Sequence, residues 1–291
     1  MSKVTETLKA LPENLWLHGR NIFTIARAEV TGMMKEPSYY VITAFAAAVV
    51  FFSKDFTLFT FDWGSGDDPS YTRTMVREMG LATSLLVGLF VALITASKSI
   101  YNEIVRKTAL TTLSKPVSRN DFILGKYFGI IAGIAPLFLF LGIVLFFAIR
   151  FQSSADIRAG LSGEIVYDFH IFKGVYLNYL KAVVLTALSV AVSTQLPFLP
   201  NILIVLSAYI VCHLVNFINY FFLQVKGFFF YVLQLLYALT LNLDNYNFFY
   251  QGDVRSLPSG YLIAMITLYT AIYATVFLIA ANISFSKRDL F

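Results

Sequence analysis

The stretch from Phe122 to Ile149 decides the fold and reads FILGKYFGIIAGIAPLFLFLGIVLFFAI. Its only charged residue is Lys126. The stretch is longer than the roughly 20 apolar residues that are needed to cross a lipid bilayer. Uninterrupted apolar runs of this length are typical of membrane helices and not of soluble cores. The stretch therefore predicts a membrane-spanning helix.

The composition of the whole chain also indicates a membrane protein. Of 291 residues, 58% are hydrophobic and 13% are charged, whereas soluble domains carry about 25% charged residues. This composition excludes an ordinary soluble enzyme, a collagen, a disulfide scaffold and a disordered tail. The single cysteine, Cys212, allows no intrachain disulfide. The net charge of +5 is spread among apolar segments, so no nucleic-acid partner is predicted.

Six stretches are long and apolar enough to cross a membrane, and we predict an all-α polytopic protein with six transmembrane helices. Lys and Arg are more frequent in the loops that this arrangement places inside, so both termini are predicted to be cytoplasmic. The shorter apolar stretch 228–241 is predicted to form an outer helix, and whether it is interfacial, re-entrant or spanning stays open. The predicted spans are 38–56, 80–101, 122–149, 174–193, 201–223 and 261–283.

Residues 1–37 precede the six-span domain, which covers residues 38–291. In residues 16–35 apolar and polar side chains recur at spacings of three and four, which predicts an amphipathic helix at the cytoplasmic membrane surface. Pro37 is expected to end this helix and turn the chain into the membrane. An inert anchor and a functional element remain equally supported. The apolar face holds Trp16, Phe23, Ala26, Val30 and Met33, and the polar face holds Arg20, Thr24, Arg27, Thr31 and Lys35.

The segment between the second and third spans, residues 102–121, reads NEIVRKTALTTLSKPVSRND and is called the elbow below. Its first part has the pattern of a short amphipathic helix, which Pro116 ends. Ser118 and Asp121 have the S-x-x-D spacing of a helix N-cap, so a sharp start of the third span is expected. A rigid basic elbow could pass force from a soluble partner to two spans. The alternative is a solvated loop with ordinary positive charge.

The elbow sequence resembles the coupling elbow of the permeases of ABC-2 type exporters. The similarity is clearest in the run SKPVSRND from Ser114 to Asp121, and it extends to Gly125 and Lys126. The order of an amphipathic helix, six spans and an outer helix before the last span is similar as well. Within this family the chain resembles in particular the permeases grouped with nitrous-oxide-reductase maturation.

The resemblance implies a permease subunit of an ABC transporter. It further implies that the transporter is an exporter and that this chain is not itself an enzyme. It implies an integral protein of the bacterial cytoplasmic or inner membrane, with a dimer of ABC ATPase subunits docked at the elbow. ATP and Mg are expected on that ATPase and no cofactor on this chain, whose sequence has no G-x-x-x-x-G-K-[ST] phosphate loop. The residues predicted to couple to the ATPase are Glu103, Arg106, Lys107, Ser114, Lys115, Pro116, Ser118, Arg119 and Asp121.

The resemblance also implies a second permease copy, either identical or different, contact with membrane lipid, and room for an extracytoplasmic accessory protein. It further implies that the second and fifth spans border the transport path. A second function stays open, in which the chain relays ATPase motion to an extracytoplasmic partner without transporting anything.

One face of the fifth span carries polar side chains at intervals of four, three and four residues. Such groups must be hydrogen-bonded or wet at membrane depth. Bonds between helices and a place on the transport path or dimer interface are both open, and the resemblance favours the path. The residues are Tyr209, His213, Asn216 and Tyr220.

Three further features are interpreted from the sequence. Small residues repeat every fourth position from Gly80 to Ala96 and from Gly125 to Gly133, which predicts close helix packing, with a seam between subunits as the alternative. Lys181 is interpreted first as a side chain that reaches the membrane interface and second as a substrate contact. No catalytic group and no metal site is predicted.

Overall fold

The computed structural model describes residues 2–56, 69–105, 118–158, 169–222, 241–247 and 260–287. These residues form helices and no strand, which confirms the predicted all-α class. A 3-10 helix covers Leu243–Tyr246. The α-helices, numbered along the chain, are α1 Ser2–Lys35, α2 Pro37–Phe56, α3 Pro69–Val105, α4 Arg119–Arg158, α5 Ile171–Ser193, α6 Phe198–Phe222 and α7 Gly260–Ser286.

The described helices include four that are long and apolar enough to cross a membrane: Thr74–Tyr101, Arg119–Ser154, Ile171–Ser193 and Gly260–Ser286. The pair Leu17–Lys35 and Pro37–Ser53 passes the same test as one bent unit, which raises the count to five. Phe198–Leu214 is a shorter apolar helix. The predicted count of six spans is therefore not confirmed and stays a prediction. The predicted outer helix 228–241 lies outside the described residues except for Leu241.

Helix α5 is the centre of the bundle. It is apolar around its circumference, and most of its side chains are buried, as expected for a helix with neighbours on all sides. Helices α3, α4, α6 and α7 pack against it, and α2 packs against α3 and α4. We call the side of the bundle where α3 ends and α4 begins the elbow end, and the opposite side the distal end.

The small-residue stripes pack inside the chain. A Cβ atom added at Gly80 would overlap Leu145 of α4, and one added at Gly88 would overlap Phe138 of the same helix. The predicted close packing of this stripe within one subunit is thus confirmed. It lets α3 and α4 approach closely where no hydrophobic effect drives helices together.

The second small-residue stripe, on α4, packs against α1. A Cβ at Gly125 would lie 2.7 Å from Cβ of Ile25, and a Cβ at Gly129 would lie 2.8 Å from the backbone oxygen of Ala26. Helix α1 therefore runs alongside the first turns of α4, up to the bend of 66° at Pro37. On the other side of α1, Phe23 is 67% exposed. The predicted apolar face of α1 therefore does not act as one surface. Part of it packs against α4, whereas Phe23 does not.

Candidate functional site

The start of α4 is held by reciprocal hydrogen bonds between Ser118 and Asp121. The amide of Asp121 donates to Oγ of Ser118 over 3.1 Å, and the amide of Ser118 donates to Oδ2 of Asp121 over 3.4 Å. The same carboxylate oxygen accepts a hydrogen bond of 2.7 Å from Nδ1 of His18 on α1. Asp121 is 3% exposed. The cap thus satisfies free amides of α4 and also attaches α1 to its first turn.

Replacing Ser118 by alanine is expected to lower the free energy of unfolding by about 1 kcal/mol, because the helix loses its side-chain cap. Thr24→Ala is the control, since the exposed Thr24 hydroxyl donates to the Arg20 carbonyl within its own helix. Thermal unfolding of the purified chain measures both. Equal unfolding temperatures for the two variants would show that the cap contributes nothing.

An ion triad joins three helices at the elbow end. Nζ of Lys126 on α4 donates to Oε2 of Glu29 on α1 over 2.7 Å and also to Oε1 of Glu103 on α3. Lys126 is 8% exposed. A buried charge requires partners, and here one ammonium binds two carboxylates. The triad therefore links α1 to both helices that flank the elbow.

The elbow end is also tied to the last helix. Nη1 of Arg119 donates to the carbonyl oxygen of Ser286 over 3.0 Å. Nε2 of Gln195, in the turn after α5, donates to the carbonyl oxygen of Ser284 over 3.1 Å. Both carbonyls belong to the last turn of α7. The carbonyl groups at the end of a helix have few hydrogen-bond donors within the helix itself, so these side chains satisfy them. Helices α4, α5 and α7 are thus fastened to one another at this end.

A buried amide connects three further helices. Nδ2 of Asn201 on α6 donates to Oγ of Ser97 on α3 over 2.8 Å and to the carbonyl oxygen of Ser189 on α5 over 3.1 Å. All three residues are fully buried. Such bonds between membrane helices contribute about 0.6 kcal/mol each. They fix the start of α6 against the centre of the bundle.

A cavity of about 370 Å³ lies between α3, α5 and α6. Its walls are mainly apolar, and exposed residues of α3 and α6 lie at its edge. Its polar lining consists of Lys181, Tyr209, His213 and Asn247. The apolar lining residues are Ala82, Leu85, Leu86, Leu89, Phe90, Leu206 and Ile210.

Asn247 organises the polar part of this cavity. Its Oδ1 accepts a hydrogen bond from Nζ of Lys181. Its Nδ2 lies 2.9 Å from Oδ1 of Asp244 and 3.1 Å from Nε2 of His213. Lys181 is 1% exposed. The interpretation of Lys181 as a side chain that reaches the membrane interface is therefore wrong, because Asn247 meets its ammonium inside the protein.

The short distal helix that carries Asp244 is itself fixed to α7. The hydroxyls of Tyr246 and Thr270 lie 2.8 Å apart, and the amide of Asn242 donates to the hydroxyl of Tyr269 over 3.0 Å. Burial raises the pKa of Tyr246 to about 12, so its phenol stays protonated at neutral pH. The position of Asn247 thus depends on α7 as well as on α5 and α6.

The sequence model of the ABC-2 family transporter protein matches residues 23–290. The chain belongs to the ABC-2 transporter family. No curated protein matches it. The family confirms the resemblance seen in the elbow, and it makes the chain an integral membrane component of a transport system. The narrower resemblance to the nitrous-oxide-reductase-maturation permeases stays a prediction.

The structure of this ABC-2 transporter protein describes four of the predicted coupling residues. Glu103, Ser118, Arg119 and Asp121 all have partners within the chain, in the contacts given above. These contacts favour a positioning role, in which the residues hold the flanks of the elbow. The other predicted coupling residues lie outside the described residues: Arg106, Lys107, Ser114, Lys115 and Pro116.

Of the predicted path-lining residues, Tyr209 and His213 border the cavity, and their rings pack with centroids 5.3 Å apart. The side chains of Asn216 and Tyr220 lie outside the described part of the structure. The path-lining role therefore stays a prediction for all four.

Sequence reasoning missed Glu29, Asn201 and Asn247. Glu29 lies in a pattern that identifies only an amphipathic helix, and nothing local shows that it meets Lys126. Asn201 is the first residue of a predicted span, where polar residues are common, so nothing in the sequence indicates that it is buried. For Asn247 the available signal was Lys181, because a cation within a membrane span requires a polar partner elsewhere in the chain.

Proposed function

We propose that the chain is the permease subunit of an ABC exporter and is powered by a separate ATPase that docks at the elbow. The elbow end is cytoplasmic in this proposal, as are both termini, in a bacterial cytoplasmic or inner membrane. Two permease copies and two ATPase subunits form the transporter, with ATP and Mg bound to the ATPase. The ABC-2 family generally works with an ABC ATPase, which supports this assignment.

The observation that carries the proposal is the fixation of both flanks of the elbow. Glu103 at the start of the elbow and Lys126 beyond its end are joined to each other and to α1. Ser118 and Asp121, at the end of the elbow, cap α4. A push on residues 106–117 would therefore move α3 and α4 together. A loop between unattached helix ends would absorb the same push.

The cavity favours transport over mere transmission of motion. A subunit that only relays motion to an extracytoplasmic partner needs no space for a molecule, whereas a cavity of about 370 Å³ falls within the usual size range of small-molecule sites. The relay function remains the second candidate for this chain.

Reversing two charges in the elbow is expected to detach the ATPase. In the variant Arg106→Glu with Lys107→Glu, the net charge of the elbow changes from positive to negative, and we expect at least a tenfold loss of co-purified ATPase with normal membrane insertion. Arg27→Glu with Lys35→Glu is the charge-matched control, because both residues are exposed on α1. Affinity purification from membranes measures the subunit ratio.

Inserting two glycines between Ser114 and Lys115 tests coupling separately from docking. We expect the ATPase to remain bound but to lose its stimulation by the permease. If both elbow variants keep normal binding and turnover, the elbow does not couple to an ATPase.

A further inference from the structure

The polar part of the cavity between α3, α5 and α6 offers hydrogen-bond donors. The amide of Asn247 must accept from the Lys181 ammonium through Oδ1 and donate to the Asp244 carboxylate through Nδ2, so its orientation is fixed by the two charges. The second hydrogen on Nδ2 then points to Nε2 of His213, which acts as an acceptor. A neutral His213 ring therefore carries its proton on Nδ1.

These donors exceed the acceptors that the described residues supply. Nδ1 of His213 is buried without a hydrogen-bond partner in the described part of the chain. Lys181 has three N–H donors, and among the described residues its hydrogen-bond partner is Asn247. The lining that remains is aliphatic or aromatic. A matching ligand has an acceptor group at one end and an apolar body.

The position of Lys181 indicates that the acceptor group of a matching ligand is anionic. Lys181 lies near the middle of α5 and is nearly inaccessible, and cations at such depth face partners or ligands of opposite charge. Asp244 is a counter-charge, but it is held through Asn247 and is not among the cavity-lining residues. A cavity of about 370 Å³ lies at the small end of ligand sites and suits one acyl chain better than two.

We propose that this cavity binds a single-chain anionic amphiphile, with its carboxylate or phosphate head at Lys181 and its alkyl chain along Leu85, Leu89 and Leu206. The inference deepens the proposed function, on which it rests, by naming the class of substrate. The ligand enters beside Leu86 and Ile210, which line the cavity and are exposed on α3 and α6.

The test uses the full-length chain in nanodiscs of neutral phosphatidylcholine and a photoreactive derivative of dodecanoate. We expect labelling of cavity-lining residues that excess dodecanoate or dodecyl phosphate competes away. Dodecanol and dodecyltrimethylammonium have the same chain without the anionic head and are expected to compete at least tenfold more weakly. Stronger competition by dodecanoate than by dodecyl phosphate identifies the carboxylate as the preferred head, and the reverse order identifies the phosphate.

Variants separate the head contact from the chain contact. Lys181→Met is expected to lower labelling roughly tenfold or more, as for loss of a hydrogen bond to a charged group, while Lys181→Arg retains it. Lys98→Met, an exposed lysine outside this cavity, is the control and should label normally. Ala82→Phe fills the cavity from its exposed edge, so it should block every derivative even if Lys181→Met fails to fold.

Unchanged labelling in both Lys181→Met and Ala82→Phe would overturn the proposal, as would equal competition by the cationic amphiphile. Because binding is measured on the permease without nucleotide, such a failure leaves the elbow experiments untouched. Loss of ATPase binding in those experiments leaves the labelling result equally untouched.

Discussion

Replacing Lys126 by methionine is expected to cause the largest loss of stability of any single change at the elbow end. The substitution leaves the carboxylates of Glu29 and Glu103, whose side chains are 11% and 29% exposed, beside each other without their shared cation. Removing one partner of a buried ion pair costs roughly 3–5 kcal/mol. Because Glu103 is partly exposed, we expect a fall at the lower end of this range, about 3 kcal/mol, in the free energy of unfolding, and release of α1 from α4.

Two matched variants make this prediction specific. Lys98→Met removes an exposed lysine whose Nζ lies 5.8 Å from the ring centre of Phe198, and it should cost at most ~1 kcal/mol. The triple change of Lys126→Met, Glu29→Gln and Glu103→Gln removes all three charges and should recover much of the lost stability. Thermal unfolding in nonionic detergent compares them. A Lys126→Met variant as stable as Lys98→Met would show that the triad does not hold the helices.

Replacing Gly129 by alanine is expected to destabilise the protein, although alanine is the better helix former. The added Cβ would lie 2.5 Å from Cβ of Glu29 and 2.8 Å from the backbone oxygen of Ala26, so that the α1 backbone must move. Overpacking of this kind costs roughly 1–3 kcal/mol. Faster hydrogen exchange of the amides from Ile22 to Met33 would report the loosened α1.

Gly32→Ala is the matched control, because a Cβ at Gly32 meets no atom within 4 Å. In a helix this change should be neutral or stabilise by up to about 1 kcal/mol. Only Gly129→Ala should therefore lower stability. If both slow hydrogen exchange in α1 equally, the close contact between α1 and α4 is absent.

Local features of the fold were predictable from the sequence. The cap at Ser118 involves two residues that are three apart in sequence, and the break at Pro37 is caused by the ring of a single proline. Both could therefore be recognised without knowing the fold. The spacing from Gly125 to Gly133 indicated a close approach. It could not identify the partner, because α1 and a second subunit would need the same small residues.

The long-range pairs could not be predicted in the same way. Glu29 and Lys126 are 97 residues apart in sequence, and their contact exists because α1 runs alongside α4. The interpretation of Lys181 as a residue near the membrane interface depends on the predicted start of the span at Gly174. Helix α5 begins earlier, at Ile171, and the side chain of Asn247, 66 residues further along the chain, accepts a hydrogen bond from the ammonium.

Site-specific photo-crosslinking determines whether an ATPase binds at the elbow. Benzoylphenylalanine is placed at Lys107 in the elbow or, as the control, at Asn245, which is exposed in the distal 3-10 helix. In native membranes we expect Lys107 to crosslink to a chain that carries an ATP-binding phosphate loop, and Asn245 not to do so. Crosslinking of that chain at Asn245, with none at Lys107, would show that the ATPase does not bind at the elbow.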